Sequence, residues 1–459
     1  MHAYTIRRLA RSRGALVMLF GAATLASSSC KSSEFLGVED PDIINPSNVT
    51  SAAGANAVRL GALARLNSAS SGGESMLLLG GLFTDEWING DSFIGRQEVD
   101  QRTITIQNSF VTDASRALHR ARLSAHQALE LLATYNPTAP GWQPAEMYFV
   151  AAYIENLTAE HFCNGLVFSS VENGEEIYGT PMTTADAFAR ALAHADSGLT
   201  MVSGTTTDDN RVRNALKVLR GRILMNLDRP ADAAASVTGV PNNFAYNEFH
   251  AQTATSNQIW NFNNLSWRYS VGNNEGTNGI NFATAADPRL PVCIGGDAVC
   301  RTNGVTRTTR DDLTAPLHVQ LVWPLRESTV ALTSGIEARM IEAEAQLRAQ
   351  NAAGALATLN AARATVTNLP PLVDAGTADA RVNQLFRERA IWLFGRGYRL
   401  GDMRRLVRQY NRAPTAVFPV GGWHKGGNYG TDMNFPVPQA ELNNPNLPSG
   451  ATTCLDRNA

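Results

Sequence analysis

The chain has 459 residues, 44% of them hydrophobic, and a formal charge of −2. That is enough apolar material for a substantial core, in one large body or in two to four domains. The first 29 residues hold four arginines and no acid, so 39 basic residues less those four leave 35 against 41 acidic ones, a balance of −6. This excludes nucleic acid as an expected partner, since phosphate binding needs clustered positive charge.

From the start of the chain, Arg7, Arg8, Arg11 and Arg13 precede an apolar run from Gly14 to Ala26 that is too short to span a bilayer, the pattern of an export signal over 1–29. It closes on "LASSSC", which resembles a bacterial lipobox, with Cys30 as the lipidated first residue of the mature chain and Ser27 where the usual lipobox has an apolar residue. Residues 30–50, "CKSSEFLGVEDPDIINPSNVT", then read as a polar tether, and no later apolar run is long enough for a membrane span. The membrane would be reached through the lipid anchor only.

Without Cys30 four cysteines remain, and four allow three pairings in an oxidising compartment. The Gly-Gly turn in "CIGGDAVC" favours Cys293 with Cys300, which leaves Cys163 with Cys454. Zinc is the rival use, but no second close Cys or His pair accompanies that stretch, so no metal site is expected.

The body, 51–459, reads as one unit. A helical stretch from Thr50 to about Ser68 is followed by "GLFTDEWINGDSF" (81–93), rich in aromatics, acids and turn formers. Helical patterns then come in pairs, about 112–134 with 143–165 and 183–202 with 209–227. Later, Ile336, Met340, Ala343 and Leu347 align on one face, Leu356, Leu359 and Ala362 on a second, and Val382, Phe386, Ala390 and Leu393 on a third. Alanine-rich helix pairs of this length build tetratricopeptide-like arrays, in which each pair buries its stripe against its neighbours. The expected fold is therefore mainly α, a helix-pair array over 51–240 and 335–411. A large irregular insert over 241–334, with few short strands, is crowded with Asn, Gly and aromatics, and a C-terminal strap covers 412–459.

Four segments in fixed order carry a family resemblance: "FLGVEDPDIINP" after the lipid-site Cys, "AEAQL" with "LNAAR", "RERAIWLFGRGYRLGDMRR", and "FPVPQAELNNPNL". The chain resembles the SusD/RagB family of outer-membrane nutrient-uptake lipoproteins. Pro436, Pro438, Glu441, Asn444, Pro445 and Leu447 match the family's closing strap, whereas Arg396 stands where the family has glutamate and Leu406 where it has a bulky residue. The resemblance implies a helical scaffold with an irregular insert, at the cell surface on the outer membrane. It also implies a partnership with a SusC-like TonB-dependent barrel transporter, capture of an oligosaccharide or other oligomeric nutrient, no cofactor, and binding rather than catalysis.

Sugar rings pack their C–H faces on indoles and need amide, carboxylate or guanidinium groups nearby. By loop placement and chemistry the expected ligand contacts are Trp87, Asn89 and Asp91, together with Trp260, Trp267, Arg268 and Trp323 of the insert, near Asn261, Asn263 and Asn264. Glu388, Arg389, Arg399, Asp402, Arg404 and Arg405 are expected to lock the last helix onto the strap by bidentate bonds. Catalytic sets are poor: Glu160, His161 and Cys163 cannot converge from one helix, and the adjacent Asp85 and Glu86 do not make the flanking pair that glycoside hydrolysis needs. Phosphate-loop, His-Glu-x-x-His and Gly-x-Ser-x-Gly motifs are all missing. The rivals are a helical scaffold lipoprotein of the envelope that binds no nutrient, and a lipid-anchored glycan hydrolase.

Overall fold

The computed structural model describes residues 48–172, 175–447 and 452–459. The export signal, Cys30 and all but the last three residues of the tether lie outside the described residues. Thr50–Ala459 forms one compact unit.

Local sequence accounts for where its helices begin. Helix α1 (Ala52–Ala69) starts at Ser51, whose side chain accepts the Gly54 amide. After it come α2 (Met76–Phe83), strand β1 (Trp87–Asn89), α3 (Ile94–Gln101), α4 (Ser109–Tyr135) and α5 (Trp142–His161). A β2–β3 hairpin (Ser170–Glu172, Glu175–Ile177) leads to α6 (Thr184–Met201) and α7 (Thr207–Asn226), each opened by a capping box, Thr183 with Asp186 and Thr206 with Asp209. Helix α8 (Pro230–Val237) places its proline at the first turn, where the missing N–H costs nothing. The array is mainly α, as its sequence implies: α1 packs on α4, α4 on α5, α5 on α6, α6 on α7, and α7 on α8. Alanines make this possible. On α4 the buried stripe is Ala114, Leu118, Ala121, Ala125, Ala128 and Leu132, small side chains that let neighbouring helices approach closely.

The insert carries β4 (Ala245–Glu248), β5 (Tyr269–Val271), β6 (Val292–Ile294), β7 (His318–Gln320) and β8 (Val330–Ser334). All pair antiparallel and two at a time: β1 with β5, β4 with β8, and β6 with β7. The β4–β8 pair closes the base of the insert, and Ser334 at its end caps the next helix by accepting from Glu337 N. Side-chain amides do what longer strands would: Asn263 donates to Tyr269 O at 2.8 Å and accepts from Gln320 N at 2.8 Å, while Gln320 donates to Asn264 at 2.8 Å. That explains an Asn-rich composition in an ordered segment. Cys293 bonds to Cys300 and Cys163 to Cys454.

Helices α9 (Gly335–Arg348), α10 (Ala352–Arg363), α11 (Ala378–Trp392) and α12 (Arg399–Tyr410) complete the body, with α9 packed on α8, α10 and α11. Their charged motif residues are buried and paired, but not with the strap. Arg389 grips Asp402 through two 2.8 Å bonds, Arg405 holds Glu344 at 2.5 and 3.0 Å, and Arg399 holds Asp85 at 2.7 and 2.8 Å. Arg404 donates to the carbonyls of Ala159, Glu160 and Phe162, closing the C-terminal end of α5. Glu388 takes Arg363 and Arg289. The strap is held by other partners: Cys163 N donates to Phe435 O and Phe435 N to His161 O, both at 2.9 Å, with Gln439 N on Ile106 O, while Asn444 donates its side-chain amide to Gly179 O at 2.9 Å and Trp423 Nε1 to Asp100 at 3.0 Å. Its prolines lack donors, so neighbouring residues carry these bonds.

Candidate functional site

Segment 81–93 lies in the interior rather than at a rim. Strand β1 pairs with β5 in the register Trp87↔Val271 and Asn89↔Tyr269, so the insert folds over it. Trp87 is fully buried, its ring 4.8 Å from that of Phe394. Asn89 and Asp91 are buried as well: Asn89 Oδ1 accepts the Asp91 amide at 2.9 Å, and Asp91 is paired with Arg96 at 2.5 Å. Trp323 is closed under Gly395, whose left-handed φ of +68° keeps the backbone where a Cβ would stand 3.2 Å from that indole and 3.4 Å from Trp87. Trp87, Asn89, Asp91 and Trp323 therefore offer no face to a ligand, because long-range strand pairing covers what local sequence leaves open.

Trp260, Trp267 and Arg268 are half-exposed. Each indole carries a guanidinium on its face, Arg326 over Trp260 at 5.4 Å and Arg307 over Trp267 at 4.6 Å. Arg268 lies 5.4 Å over Phe93, which is itself exposed.

An open cleft of about 540 Å³ lies between α1, the start of α5, α7 and strand β4. Trp142, at the first position of α5, forms one wall, and the exposed Phe249, just past β4, forms another. Around the indole, Arg59 and Arg211 stand over the ring at 5.0 and 5.8 Å, and both bond to Glu146, at 2.6 and 2.7 Å. Tyr246 donates to the same carboxylate at 3.0 Å. Deeper in, Glu248 is buried and accepts the hydroxyls of Ser70 and Ser71, and Ser71 Oγ is 2.9 Å from His250 Nε2. Burial pushes the Glu248 carboxyl up to about 7, against the pull of those serines. Burial likewise pushes the His250 imidazole down. Asn67, also lining the cleft, has a buried Oδ1 without a partner. An aromatic wall with convergent amide, guanidinium and carboxylate groups, at a volume inside the usual range for ligand sites, suits a hydroxyl-rich chain molecule. Sequence reasoning missed Trp142 because it begins a helix; the "APGW" turn before it was the available signal.

The acids of the hydrolase reading are sealed. Asp85 is locked by Arg399, and Glu86, whose carboxyl burial pushes up to about 8, accepts Gly395 N at 2.9 Å. His161 is buried with Nδ1 on Leu157 O, and Cys163 is consumed by its disulfide. Among the described residues two groups have metal-ligand composition. Cys293, Asp297 and Cys300 have spent their thiols on each other. His126, Glu155 and His194 face two guanidiniums, since Arg122 and Arg190 donate to Glu155 at 2.8 and 2.9 Å. Desolvation would raise the Glu155 carboxyl, yet the His194 bond and the Arg122 charge hold it down at about 2. That carboxylate is already over-supplied with positive charge, so the donor set fits an ion-pair network and not a cation.

The chain matches no protein-family model, and no curated protein sequence matches it significantly. Its fold, however, is that of SusD superfamily proteins. It is similar to a SusD superfamily protein from Parabacteroides distasonis at 13% identity, with 87% of this chain and 99% of that one covered and a TM-score of 0.64. A SusD superfamily protein from Bacteroides vulgatus gives 13% identity, 87% and 100% coverage and a TM-score of 0.63. A SusD-like carbohydrate binding protein from Bacteroides vulgatus gives 13% identity, 87% and 98% coverage and a TM-score of 0.61.

Proposed function

We propose that this chain is a SusD/RagB-type capture protein: a lipid-anchored, surface-exposed binder of an oligomeric nutrient, a glycan, which it hands to a TonB-dependent barrel in the outer membrane. The observation that carries the reading is the cleft at Trp142, an indole framed by Arg59, Arg211 and Glu146 on a SusD-type scaffold. The similar solved protein described as carbohydrate binding supports the ligand class. Outer contacts for a longer chain would come from Trp260, Trp267 and Arg268. The backbone N–H of Gln258, two residues before Trp260, donates to Ser71 O at 2.8 Å, and the Ser71 hydroxyl bonds Glu248 and His250 of the cleft lining. No covalent step is required, and the acids available to a hydrolase are occupied by partners.

The test is a glycan array on the mature chain with both disulfides intact, repeated with Trp142→Ala. Binding to a defined oligosaccharide that weakens at least about tenfold in the variant supports the reading, and an array blank for the parent protein overturns it. Co-purification in mild detergent then identifies the membrane partner. Recovery of envelope machinery with no large β-barrel would instead favour a non-nutrient scaffold.

A further inference from the structure

A second groove, of about 350 Å³, runs between α4, the segment 167–171 and the strap at Pro438–Glu441, sharing no lining residue with the Trp142 cleft. Ser115 and His119 are four residues apart on α4 and so present side chains on one face, and Glu441 comes to meet them from the strap. The three side chains also line a narrow inner chamber of about 10 Å³, room for roughly one water-sized group. Among the described residues the Ser115 hydroxyl, both His119 nitrogens and the Glu441 carboxylate have no hydrogen-bond partner in the protein, although Ser115 is buried and the other two half-buried. None of these atoms is buried without a partner, so they face the open space of the groove, and three polar side chains free of protein partners there can bond a ligand's hydroxyls in exchange for water.

We propose that this groove is a monosaccharide-sized site, separate from the Trp142 cleft, that takes one pyranose ring. The chemistry selects that class. Glu441 accepts hydroxyl hydrogens, and its unpaired charge repels anions. His119 is neutral, because burial and then the Arg122 charge hold its imidazole down at about 4, so it gives one donor and one acceptor. Ser115 supplies one of each, and Val167, Pro438 and Leu123 offer an apolar floor for the ring's C–H face. Arg120, exposed at the rim and without an ion-pair partner among the described residues, can reach an outward hydroxyl. The choice of a sugar rests on the capture reading above; the site itself rests on the three unpartnered groups.

Saturation-transfer NMR on the mature, oxidised chain with D-glucose and D-galactose at tens of millimolar tests it. With the other cleft silenced by Trp142→Ala in every sample, signal transfer to at least one sugar is expected, weakened about tenfold by adding Glu441→Gln and abolished by adding Val171→Trp at the rim. The two groove variants lie on separate segments, so a folding defect in one leaves the other to report. No transfer to either sugar in that background, or transfer that survives both groove variants, overturns the proposal. A blank glycan array beside groove-dependent monosaccharide transfer would sink the capture reading and leave this site standing.

Discussion

Trp87 and Trp142 have similar company, each close to carboxylates and an arginine-bearing helix, and opposite fates. Trp87 lies under the insert against Phe394, with Asp85 and Glu86 beside it tied to Arg399 and the Gly395 amide. Trp142 keeps an open side, and its flanking charges, Arg59, Arg211 and Glu146, satisfy each other across the cleft floor. The difference is one of closure. Around Trp87 a strand pair crosses on top; around Trp142 β4 stops at Glu248 and the chain turns away with Phe249 exposed. Ion pairs that lock a core and ion pairs that frame a ligand are thus built from the same residue types, and solvent access alone separates them.

The sharpest way to break this comparison is to strip a partner from a sealed pair. Asp85→Ala leaves Arg399 charged and enclosed and should destabilise the fold by about 3–5 kcal/mol in urea unfolding; a loss under 1 kcal/mol would mean that water reaches the pair. Trp87→Ala should cost about 3–5 kcal/mol, while Trp142→Ala should cost no more than about 1–2 kcal/mol, and equal costs would erase the distinction between the two indoles. Opening Cys163–Cys454, which spans 291 residues, should lower stability by about 2–5 kcal/mol and by more than opening Cys293–Cys300, which spans 7, measured as the shift in thermal midpoint of Cys→Ser pairs.

The last effect is a pH dependence. Glu248 has a folded value near 7 against an ordinary 4.5, so between those pH values the folded chain holds a proton that the unfolded chain has released. Stability from this group is full below about 4.5 and falls as pH rises through 7. Glu248→Gln should remove that fall of about 3 kcal/mol, read as a flatter midpoint-against-pH curve, and an unchanged slope would place Glu248 in water.

The scaffold was legible because its signals are local. Alanine stripes at helical spacing and capping boxes such as Thr183–Asp186 are written within a few residues, and α4, α6 and α7 start and stop close to where periodicity puts them. The disulfide partners followed from the short Cys293–Cys300 turn and from elimination, and the structure joins the same pairs. The Trp87 segment misled because what covers it, Tyr269–Val271, lies some 180 residues away, and no local pattern announces a pairing at that distance. The roles of Arg399, Arg404 and Arg405 were half-legible: their chemistry indicated locks, but their partners Asp85, the end of α5 and Glu344 are fixed only by tertiary packing.

The Cys163–Cys454 bond ties residues 452–459 to the end of α5, so it cannot form until synthesis has passed residue 454, 291 positions beyond its partner. Prematurely terminated chains would lack the fastening, and so would chains kept in a reducing compartment. Closing the fold is in this sense a check that Cys454 has been made and that the chain has reached an oxidising compartment, made by one covalent bond.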